Sequence, residues 1–285
     1  MGNIISLHRD LTSKIYKHGG YQSFKINDPR PRDIHKASVQ DRLLHHAVYR
    51  KLYPFFDRTF ISDSFSCRLN KGTHKALNRF RSFIYRVGKN NTKTCWILKC
   101  DIRKFFANID HEILINILTK YIPDQNILWL LEEIIESFYS SKIGVGLPLG
   151  NLTSQILVNI YMNEFDQFIK HKLKIKYYIR YCDDFVFLEN KKRLENLIPF
   201  IKDFLWNKLK LVLHPDKIFT KTSASGVDFL GWSHFLDHRV LRTTTKRRII
   251  KRLKENPTTE TIVSYFGLLG HGNAWKLRQK IMDLL

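Results

Sequence analysis

Three aspartates mark the ends of two apolar segments, and their chemistry suits metal binding. Asp101 follows the apolar run "CWILKC" (95–100), and Asp183 and Asp184 interrupt the apolar stretch "RYCDDFVFL" (180–188). Adjacent carboxylates in apolar surroundings repel each other and lose hydration, so a positive charge must compensate them. If the two segments are neighbouring strands, three carboxylates converge at one end of a sheet. Such a cluster is a good binding site for two hard divalent cations.

A pair of divalent cations at that place predicts phosphoryl chemistry. Two Mg²⁺ ions held roughly 3.5–4 Å apart activate an attacking oxygen and stabilise a leaving one during in-line displacement. The alternative is that Asp183 and Asp184 are turn residues, because Asp is common in turns. The flanking aromatic and β-branched residues, together with Asp101 and the basic charge of the chain, favour the metal-binding interpretation.

The net charge indicates a polyanionic partner. The chain has 285 residues, with 48 Lys and Arg against 26 Asp and Glu, and hydrophobic residues make up 44% of it. This composition predicts a folded core and a basic surface, and excludes a disordered basic tail. An anionic membrane surface would attract the same charge, but no apolar run is long enough to span a bilayer. Nucleic acid is therefore the expected partner.

The four cysteines give no sign of a zinc site. Cys67, Cys95, Cys100 and Cys182 form no CxxC pair and lack the His/Cys spacing that zinc sites show. No secretory signal is visible, so we expect reduced thiols in a cytoplasmic protein.

The elements that would position the aspartates follow from hydrophobic periodicity. Residues 1–40 lack a clear period, and the apolar spacing predicts a helix from Asp41 that ends before Pro54. Further helices are predicted over 77–87, 110–122, 127–138 (with Asp124 as N-cap), 157–168, 194–209 and from Thr243, where Pro257 separates the last two. The predicted strands lie at 94–102, in a hairpin over 174–190 that turns beside the Asp pair, and within 210–220 and 227–235.

At this point the chain resembles reverse transcriptases. "YCDD" (181–184) resembles their Y-x-D-D box, and companion motifs occur in the family's order over roughly residues 30–245. Segment 62–77 resembles the fingers motif of group II intron-like enzymes, 98–114 the segment with the first metal-binding aspartate, 144–166 the template and nucleotide-contacting segment, 213–218 the lysine-bearing motif and "FLGW" (229–232) the primer grip.

The resemblance implies an α+β right-hand polymerase fold, with fingers, a palm of antiparallel sheet packed on helices, and a small helical thumb. It predicts the N-terminal region and fingers over 1–95, the catalytic palm with part of the fingers over 96–222, and the primer grip and thumb over 223–285. The short segment after "FLGW" leads us to expect no RNase H, HNH endonuclease or maturase domain.

Catalytic roles follow from the same resemblance. Asp101 and Asp183 would be the main ligands of two Mg²⁺ ions, for which Mn²⁺ is a possible substitute, and Asp184 would complete the site. The backbone carbonyl of Ile102 would also bind the nucleotide-side ion. Lys217 would protonate the leaving pyrophosphate, because a nearby triphosphate favours the protonated lysine.

Two further predictions concern the incoming nucleotide. Phe106 would lie against the sugar 2′ position and exclude ribonucleotides, although Phe105 and Phe106 would also suit a core. Arg68, and after it Lys75, are the candidates for gripping the triphosphate. The alternative is that both are ordinary solvated charges.

The segment "LPLGNLTSQ" (147–155) suggests a subfamily. Leu149 precedes Gly150 where many reverse transcriptases have glutamine, and Ser154-Gln155 replaces the Ser-Pro of group II enzymes. This form resembles the enzymes of diversity-generating retroelements, which copy a template RNA with frequent errors opposite adenine. A glutamine amide donates and accepts hydrogen bonds, whereas leucine only packs, so Leu149 and Gln155 are predicted to influence fidelity.

The predicted nucleic-acid contacts lie in the C-terminal part. The primer grip would comprise Phe229, Leu230, Gly231 and Trp232, and a basic helix would follow the template–primer groove with Lys246, Arg247, Arg248, Lys251 and Arg252. About half of that helix must pack inward.

The expected partners are template RNA, an RNA–DNA hybrid and dNTPs. The resemblance adds a small, basic, helical, ring-forming accessory protein, the accessory variability determinant, and implies a bacterial, archaeal or phage-encoded protein without a membrane partner.

Two alternatives stay open. A retron, group II-derived or phage-defence reverse transcriptase would share the chemistry but serve another purpose. A catalytically inactive RNA-binding protein would keep only the fold. Against this second alternative stand the three aspartates together with Phe106 and Lys217, which a pure binding module has little reason to retain.

Overall fold

A computed structural model of the chain describes residues 2–27 and 31–284. Its helices are α1 (Gly2–Thr12), α2 (Val39–Phe56), α3 (Thr73–Val87), α4 (His111–Thr119), α5 (Gln125–Glu136), α6 (Leu152–Gln167), α7 (Lys191–Leu209), α8 (Thr243–Glu255), α9 (Thr259–Leu269) and α10 (Trp275–Met282). Its strands are β1 (Gln22–Ile26), β2 (Arg32–Lys36), β3 (Trp96–Asp101), β4 (Tyr178–Tyr181), β5 (Asp184–Glu189), β6 (Phe219–Thr222), β7 (Val227–Phe229), β8 (Trp232–His234) and β9 (Arg239–Leu241).

The central sheet is antiparallel and has the strand order β4-β5-β3-β6. Because side chains alternate along a strand, β3 contributes to two cores. Leu98 and Phe187 belong to the core that includes helices α2 and α4 to α7, whereas Ile97 and Val186 belong to the core that includes α3 and the small sheet β7-β8-β9. The prediction of an antiparallel palm sheet packed on helices is confirmed.

Helix α6 differs from the predicted amphipathic helix because it is buried on almost every side. Ile156, Leu157 and Ile160 are each 2% exposed or less, and Asp166 is fully buried as well. The carboxylate of Asp166 accepts hydrogen bonds from Nε and Nη2 of Arg180 at 2.9 and 2.7 Å. This buried, bidentate pair joins α6 to β4, and its partners satisfy each other's charge.

The N-terminal region contains more regular structure than its sequence indicates. Residues 1–40 lack a clear hydrophobic period, but they contain α1 and the antiparallel pair of β1 and β2. Helix α2 also continues through Pro54, where we expected it to end. Pro54 lies in the last turn, so its missing N–H and its ring disturb a helix of which only two further residues remain. Residues 28–30 of this region lie outside the described residues.

Acidic and polar caps fix where several helices begin. The Asp124 side chain accepts hydrogen bonds from Asn126 N–H at 2.8 Å and Ile127 N–H at 3.3 Å, which confirms its predicted role as N-cap of α5. Asp110 caps α4 in the same way through Ile113 N–H at 3.0 Å. Helix α4 therefore starts directly after the 3₁₀ turn that follows β3.

The C-terminal part combines the small sheet β7-β8-β9 with α8 to α10. Gly272 lies so close to Trp232 that an added Cβ would approach the indole to 2.0 Å. Only a glycine fits there, so the loop before α10 packs flat on β8. No helix among the described ranges 2–27 and 31–284 is long and apolar enough to cross a bilayer.

Candidate active site

The β4–β5 hairpin places Asp183 in a two-residue turn. Tyr181 and Asp184 form the last strand pair, and Cys182 adopts φ +59°, a conformation that non-glycine residues rarely take. Nη1 of Arg180 donates a hydrogen bond to the Cys182 carbonyl at 3.1 Å, and Ile102 N–H donates to the Asp183 carbonyl at 3.2 Å. These contacts hold the strained turn against the end of β3, as expected where strain serves a site.

The strand register brings the predicted aspartates together. Asp101 is the direct partner of Asp184 across β3 and β5. Since paired residues on antiparallel strands share a face, both side chains lie on the side of Ile97 and Val186. The prediction that the two aspartate-bearing segments are sheet neighbours is confirmed.

Lys217 joins this group through the segment that follows α7. The Asp101 carbonyl accepts a hydrogen bond from His214 N–H at 2.8 Å, and Arg103 N–H donates to the Val212 carbonyl at 2.9 Å. The 3₁₀ turn Pro215–Lys217 then aims the ammonium at the site, where Nζ donates to Asp101 Oδ1 at 2.9 Å. Asp101, Asp183, Asp184 and Lys217 are thus neighbours, as the sequence predicts.

Lys99 is a site residue that the sequence reasoning missed. Its Nζ lies 3.0 Å from Asp184 Oδ2, and its side chain is 8% exposed. Lys99 stands two residues before Asp101 and therefore shares its face of β3. That alternation was the available signal, because a lysine inside an apolar strand needs a partner.

Burial controls the acidity of the carboxylates. Burial raises the pKa of Asp183 to about 6, and the negative charge of Asp101 adds to this effect. Burial also raises the pKa of Asp184, while the ammonium of Lys99 opposes that rise. The site consequently favours protons or metal cations near its carboxylates.

The aspartate side chains do not by themselves form a metal-binding group in this structure, and their role as metal ligands stays a prediction. Within residues 2–27 and 31–284, no three His, Cys, Asp or Glu side chains come together in a group able to hold a metal ion. Lys217 and Lys99 each pair with one carboxylate, those of Asp101 and Asp184 respectively.

The donor atoms nevertheless fit a hard divalent cation. Oδ1 of Asp184 is buried and has no hydrogen-bond partner within the described part of the chain. Oδ1 of Asp101 already accepts an ammonium at 2.9 Å, so this oxygen is placed to receive a cation. Mg²⁺ and related ions prefer carboxylate oxygens as ligands. Asp183, whose pKa is raised to about 6, supplies further carboxylate oxygens beside these two.

The two phenylalanines after β3 differ in their surroundings. Phe105 is buried in the main core, whereas Phe106 is partly exposed and packs edge-on against it with ring centroids 5.6 Å apart. The Phe106 carbonyl accepts a hydrogen bond from Leu147 N–H at 2.8 Å. Phe105 is therefore the core residue, and the role of Phe106 at the nucleotide sugar stays a prediction.

The Leu149–Gly150 loop is docked on β2. Gly150 has φ +110°, and a Cβ there would lie 2.7 Å from Ile34 Cγ2. The Leu149 carbonyl accepts a hydrogen bond from His35 N–H at 2.9 Å, and Asn151 Nδ2 donates to the His35 carbonyl at 2.8 Å. Leu149 is only partly buried, and the N-terminal hairpin thus supports the loop that carries it.

Gln155 lies in the first turn of α6. It is partly buried, and its N–H donates to the Asn151 carbonyl at 3.4 Å. This places it one helical turn from Asn151, and its predicted effect on fidelity stays a prediction.

The predicted triphosphate grip needs a correction at Arg68. Its Nε donates to Asp57 Oδ1 at 2.7 Å, and Nη1 donates to the carbonyls of Ile61 and Ser64. Only 5% of the side chain is exposed, so Arg68 braces the loop between α2 and α3 and does not fit the predicted role. Lys75 is exposed and donates to the Asn70 carbonyl at 2.6 Å, which leaves its role as a prediction.

The predicted primer grip is a tight hairpin turn between β7 and β8. Phe229 and Trp232 are buried, so their side chains brace the hairpin and cannot face a primer directly. Leu230 and Gly231 form the turn, with φ +47° and +84°. The part of the motif available to a nucleic acid is therefore the turn itself.

The basic helix α8 packs one face and exposes the other. Ile249 and Leu253 are buried, whereas Arg247, Lys251 and Arg252 are exposed. Lys246 and Arg248 are partly buried. The expectation that about half of this helix packs inward agrees with this pattern.

Comparisons with known proteins identify the family of the chain. A family model described as "Reverse transcriptase (RNA-dependent DNA polymerase)" matches residues 15–234. Protein YkfC of Escherichia coli is 23% identical over 87% of this chain and 72% of its own length. The group II intron-encoded protein LtrA of Lactococcus lactis is 24% identical over 84% of this chain and 50% of its own.

A fungal relative and a solved structure agree with this likeness. A putative COX1/OXI3 intron 2 protein of Saccharomyces cerevisiae is 21% identical over 75% of this chain, which spans only 30% of that protein. The structure of apo telomerase from Candida tropicalis superposes with a TM-score of 0.62 at 13% identity, over 94% of this chain and 57% of the telomerase chain. At that identity the structural likeness shows a shared fold.

Proposed function

Since the chain belongs to the reverse transcriptase (RNA-dependent DNA polymerase) family, we propose that it copies a template RNA into cDNA by nucleotidyl transfer. One observation carries this proposal: the register pairs Asp101 with Asp184, while Asp183 occupies the adjoining turn. Lys217, 2.9 Å from Asp101, supplies a proton donor at the same place.

In this proposal Asp101 and Asp183 are the main metal ligands, Asp184 completes the site, and the backbone carbonyl of Ile102 would bind the nucleotide-side ion. Two Mg²⁺ ions, or Mn²⁺ in their place, would activate the primer 3′-hydroxyl and stabilise the leaving pyrophosphate when bound. Asp183 must be ionised to act as a ligand, although burial holds its pKa at about 6. The partly exposed Lys217 ammonium moves from Asp101 to the triphosphate and donates its proton to the leaving group.

Nucleotide selection is assigned to residues on both sides of that centre. Phe106 would exclude the 2′-hydroxyl by its bulk, and Lys75 would contact the triphosphate. Two observations support this role of Phe106: its side chain is partly exposed, and its carbonyl accepts a hydrogen bond from Leu147 N–H. Phe106 thus lies at the border between the core and the loop 147–151. The turn of Leu230 and Gly231 would support the primer end, and α8 would follow the hybrid.

We also propose that the enzyme belongs to a diversity-generating retroelement and errs opposite template adenines. The support is Leu149 before Gly150, in the loop that the N-terminal hairpin holds. An apolar side chain at this place offers no hydrogen bond that would restrain a mispaired nucleotide. The ring-forming accessory protein is part of this proposal and rests on the sequence resemblance alone.

A second candidate is a group II-derived reverse transcriptase with the same chemistry. The likeness to LtrA favours it, although this chain spans half of that protein. The experiment that separates the two candidates is deep sequencing of cDNA made on an RNA template of balanced base composition. Errors concentrated opposite adenine support the diversity-generating enzyme, whereas errors spread evenly over the four bases contradict it.

A further inference from the structure

Lys99 contacts two parts of the site at once. Its Nζ lies 3.0 Å from Asp184 Oδ2 on β5 and donates a hydrogen bond to the Asp228 carbonyl on β7 at 2.9 Å. The same ammonium lies 5.8 Å from the centroid of the Phe229 ring. One buried cation therefore links a carboxylate of the catalytic group to the hairpin that carries the turn of Leu230 and Gly231.

This arrangement is unlike an ordinary surface ion pair. The Lys99 side chain is 8% exposed, and its strand partners Val186 and Phe219 are apolar. A buried ammonium is costly unless its N–H groups are satisfied, and here a carboxylate and a carbonyl satisfy two of them. The lysine is therefore confined to a narrow range of positions by both partners.

The β7–β8 hairpin is also held from its outer side. The Asp228 side chain accepts a hydrogen bond from Ser233 Oγ and lies 2.8 Å from Nε of Arg242. These contacts order the hairpin internally and attach it to the segment before α8. Lys99 supplies a contact of another kind, because it joins the hairpin backbone to the sheet that carries the aspartates.

We propose that Lys99 is a positioning residue that sets the distance between the catalytic carboxylates and the primer 3′ end. Asp184 and the Asp228 carbonyl are fixed to the same ammonium, so a shift of the hairpin moves the primer relative to the carboxylates. The inference rests on the proposed function, since it takes the turn of Leu230 and Gly231 as the primer support. A displacement of about 1 Å at a reacting centre reduces a rate by roughly a hundredfold.

The first test compares Lys99→Met with Lys120→Met, which removes an exposed lysine 3.7 Å from Glu164. Affinity for a labelled template–primer duplex is measured by anisotropy without dNTPs, and kcat and KM for the duplex by single-nucleotide addition. Lys99→Met is expected to weaken duplex affinity severalfold and lower kcat about ten- to a hundredfold. Lys120→Met should stay within about twofold of the unmodified protein.

The second test separates positioning from simple neutralisation of Asp184. The comparison is between Asp184→Asn and the double variant Lys99→Met/Asp184→Asn, which leaves no buried charge of this pair unmatched. If Lys99 tethers the hairpin, the double variant binds the duplex severalfold more weakly than Asp184→Asn. Equal affinities of these two variants would overturn the proposal.

Two controls distinguish a failure of this proposal from misfolding of a variant and from a failure of the polymerase proposal. Circular dichroism confirms that each variant is folded, and the double variant replaces Lys99→Met if that variant does not fold. Duplex affinity is measured without dNTPs, so it tests the positioning role of Lys99 even if the protein does not extend a primer. An unmodified protein that binds the duplex but never extends it contradicts the polymerase proposal alone.

Discussion

At the scale of single residues, the candidate active site contains groups that lower the stability of the folded protein. Burial and the negative charge of Asp101 both oppose the ionisation of Asp183 and together raise its pKa to about 6. Its neighbour Cys182 adopts φ +59°, a region that costs a non-glycine residue roughly 1–3 kcal/mol. Sites that bind cations commonly carry such costs, because the bound ligand offsets them.

We predict that Asp183→Asn stabilises the metal-free protein at neutral pH. The folded-state pKa of about 6 lies above the ordinary value of 3.8, so folding favours the protonated carboxyl. In the unmodified protein the Asp183 carboxyl therefore makes its full contribution to the free energy of unfolding below pH 3.8. This contribution is lost as the pH rises through 6. At pH 8 the variant should gain about 1–3 kcal/mol in the free energy of unfolding.

Urea denaturation in EDTA at pH 8 and pH 4 measures this difference. The gain should shrink towards zero at pH 4, and Asp216→Asn, at a carboxylate 87% exposed, should show no gain at either pH. An Asp183→Asn variant less stable than the unmodified protein at pH 8 would contradict the electrostatic account.

Leu149 is the residue to which we assign the error spectrum. Leu149→Gln restores an amide that donates and accepts hydrogen bonds near the incoming nucleotide, so errors opposite adenine should fall about three- to tenfold. Leu149→Met keeps the side chain apolar and should leave the spectrum unchanged. Sequencing of cDNA from one template gives all three spectra, and identical spectra for leucine and glutamine would count against the assignment.

At the scale of elements, the strands of the palm could be predicted from the sequence, whereas contacts between distant segments could not. The apolar segments beside Asp101 and the Asp183-Asp184 pair, together with the order of the motifs, predicted that these aspartates meet. The Lys99 contacts and the docking of Gly150 on Ile34 depend on which segments become neighbours, and local periodicity carries no such information. The helix α1 was missed because short polar segments gain their helicity from packing.

The loop at Gly150 offers a test of element docking. Gly150→Ala combines a positive φ with a Cβ 2.7 Å from Ile34, whereas Gly144→Ala has φ +78° and no atom within 4 Å. We expect Gly144→Ala to lose about 1 kcal/mol of unfolding free energy and Gly150→Ala about 1–2 kcal/mol more.

Thermal unfolding and extension rates measure both effects. Gly150→Ala should also slow nucleotide addition, because the displaced loop carries Leu149. Adding Ile34→Ala should recover the part of the loss that comes from the contact. Equal stabilities for the two alanine variants would show that the loop does not press on β2.

At the scale of the whole molecule, the charge suits a nucleic acid. The formal charge is +22, and α8 exposes basic side chains beyond its packed face. The C-terminal part also contacts helix α3: the rings of His74 and His271 stack with centroids 3.4 Å apart, and Arg81 donates to the Asp237 carbonyl at 3.0 Å. A duplex bound along the exposed face of α8 would be neutralised by several of these basic groups at once.

We therefore predict a steep salt dependence of duplex binding. Each phosphate that the protein neutralises contributes about 0.7–0.9 to the slope of log K against log salt. Replacing both Arg247 and Lys251 on α8 with alanine should lower that slope by about 1–2. The control is Lys191→Ala on α7, whose ammonium lies 3.7 Å from Glu195. A slope unchanged by the double replacement would remove α8 from the binding surface.

The most direct test of the central claim is extension of a DNA primer on an RNA template with Mg²⁺ and dNTPs. The account predicts cDNA from the unmodified protein and none from Asp183→Asn. That variant is expected to be at least as stable, so misfolding would not explain its inactivity. Absence of product from the unmodified protein, with or without an accessory protein, or equal product from Asp183→Asn, would contradict the assignment of polymerase chemistry to these carboxylates.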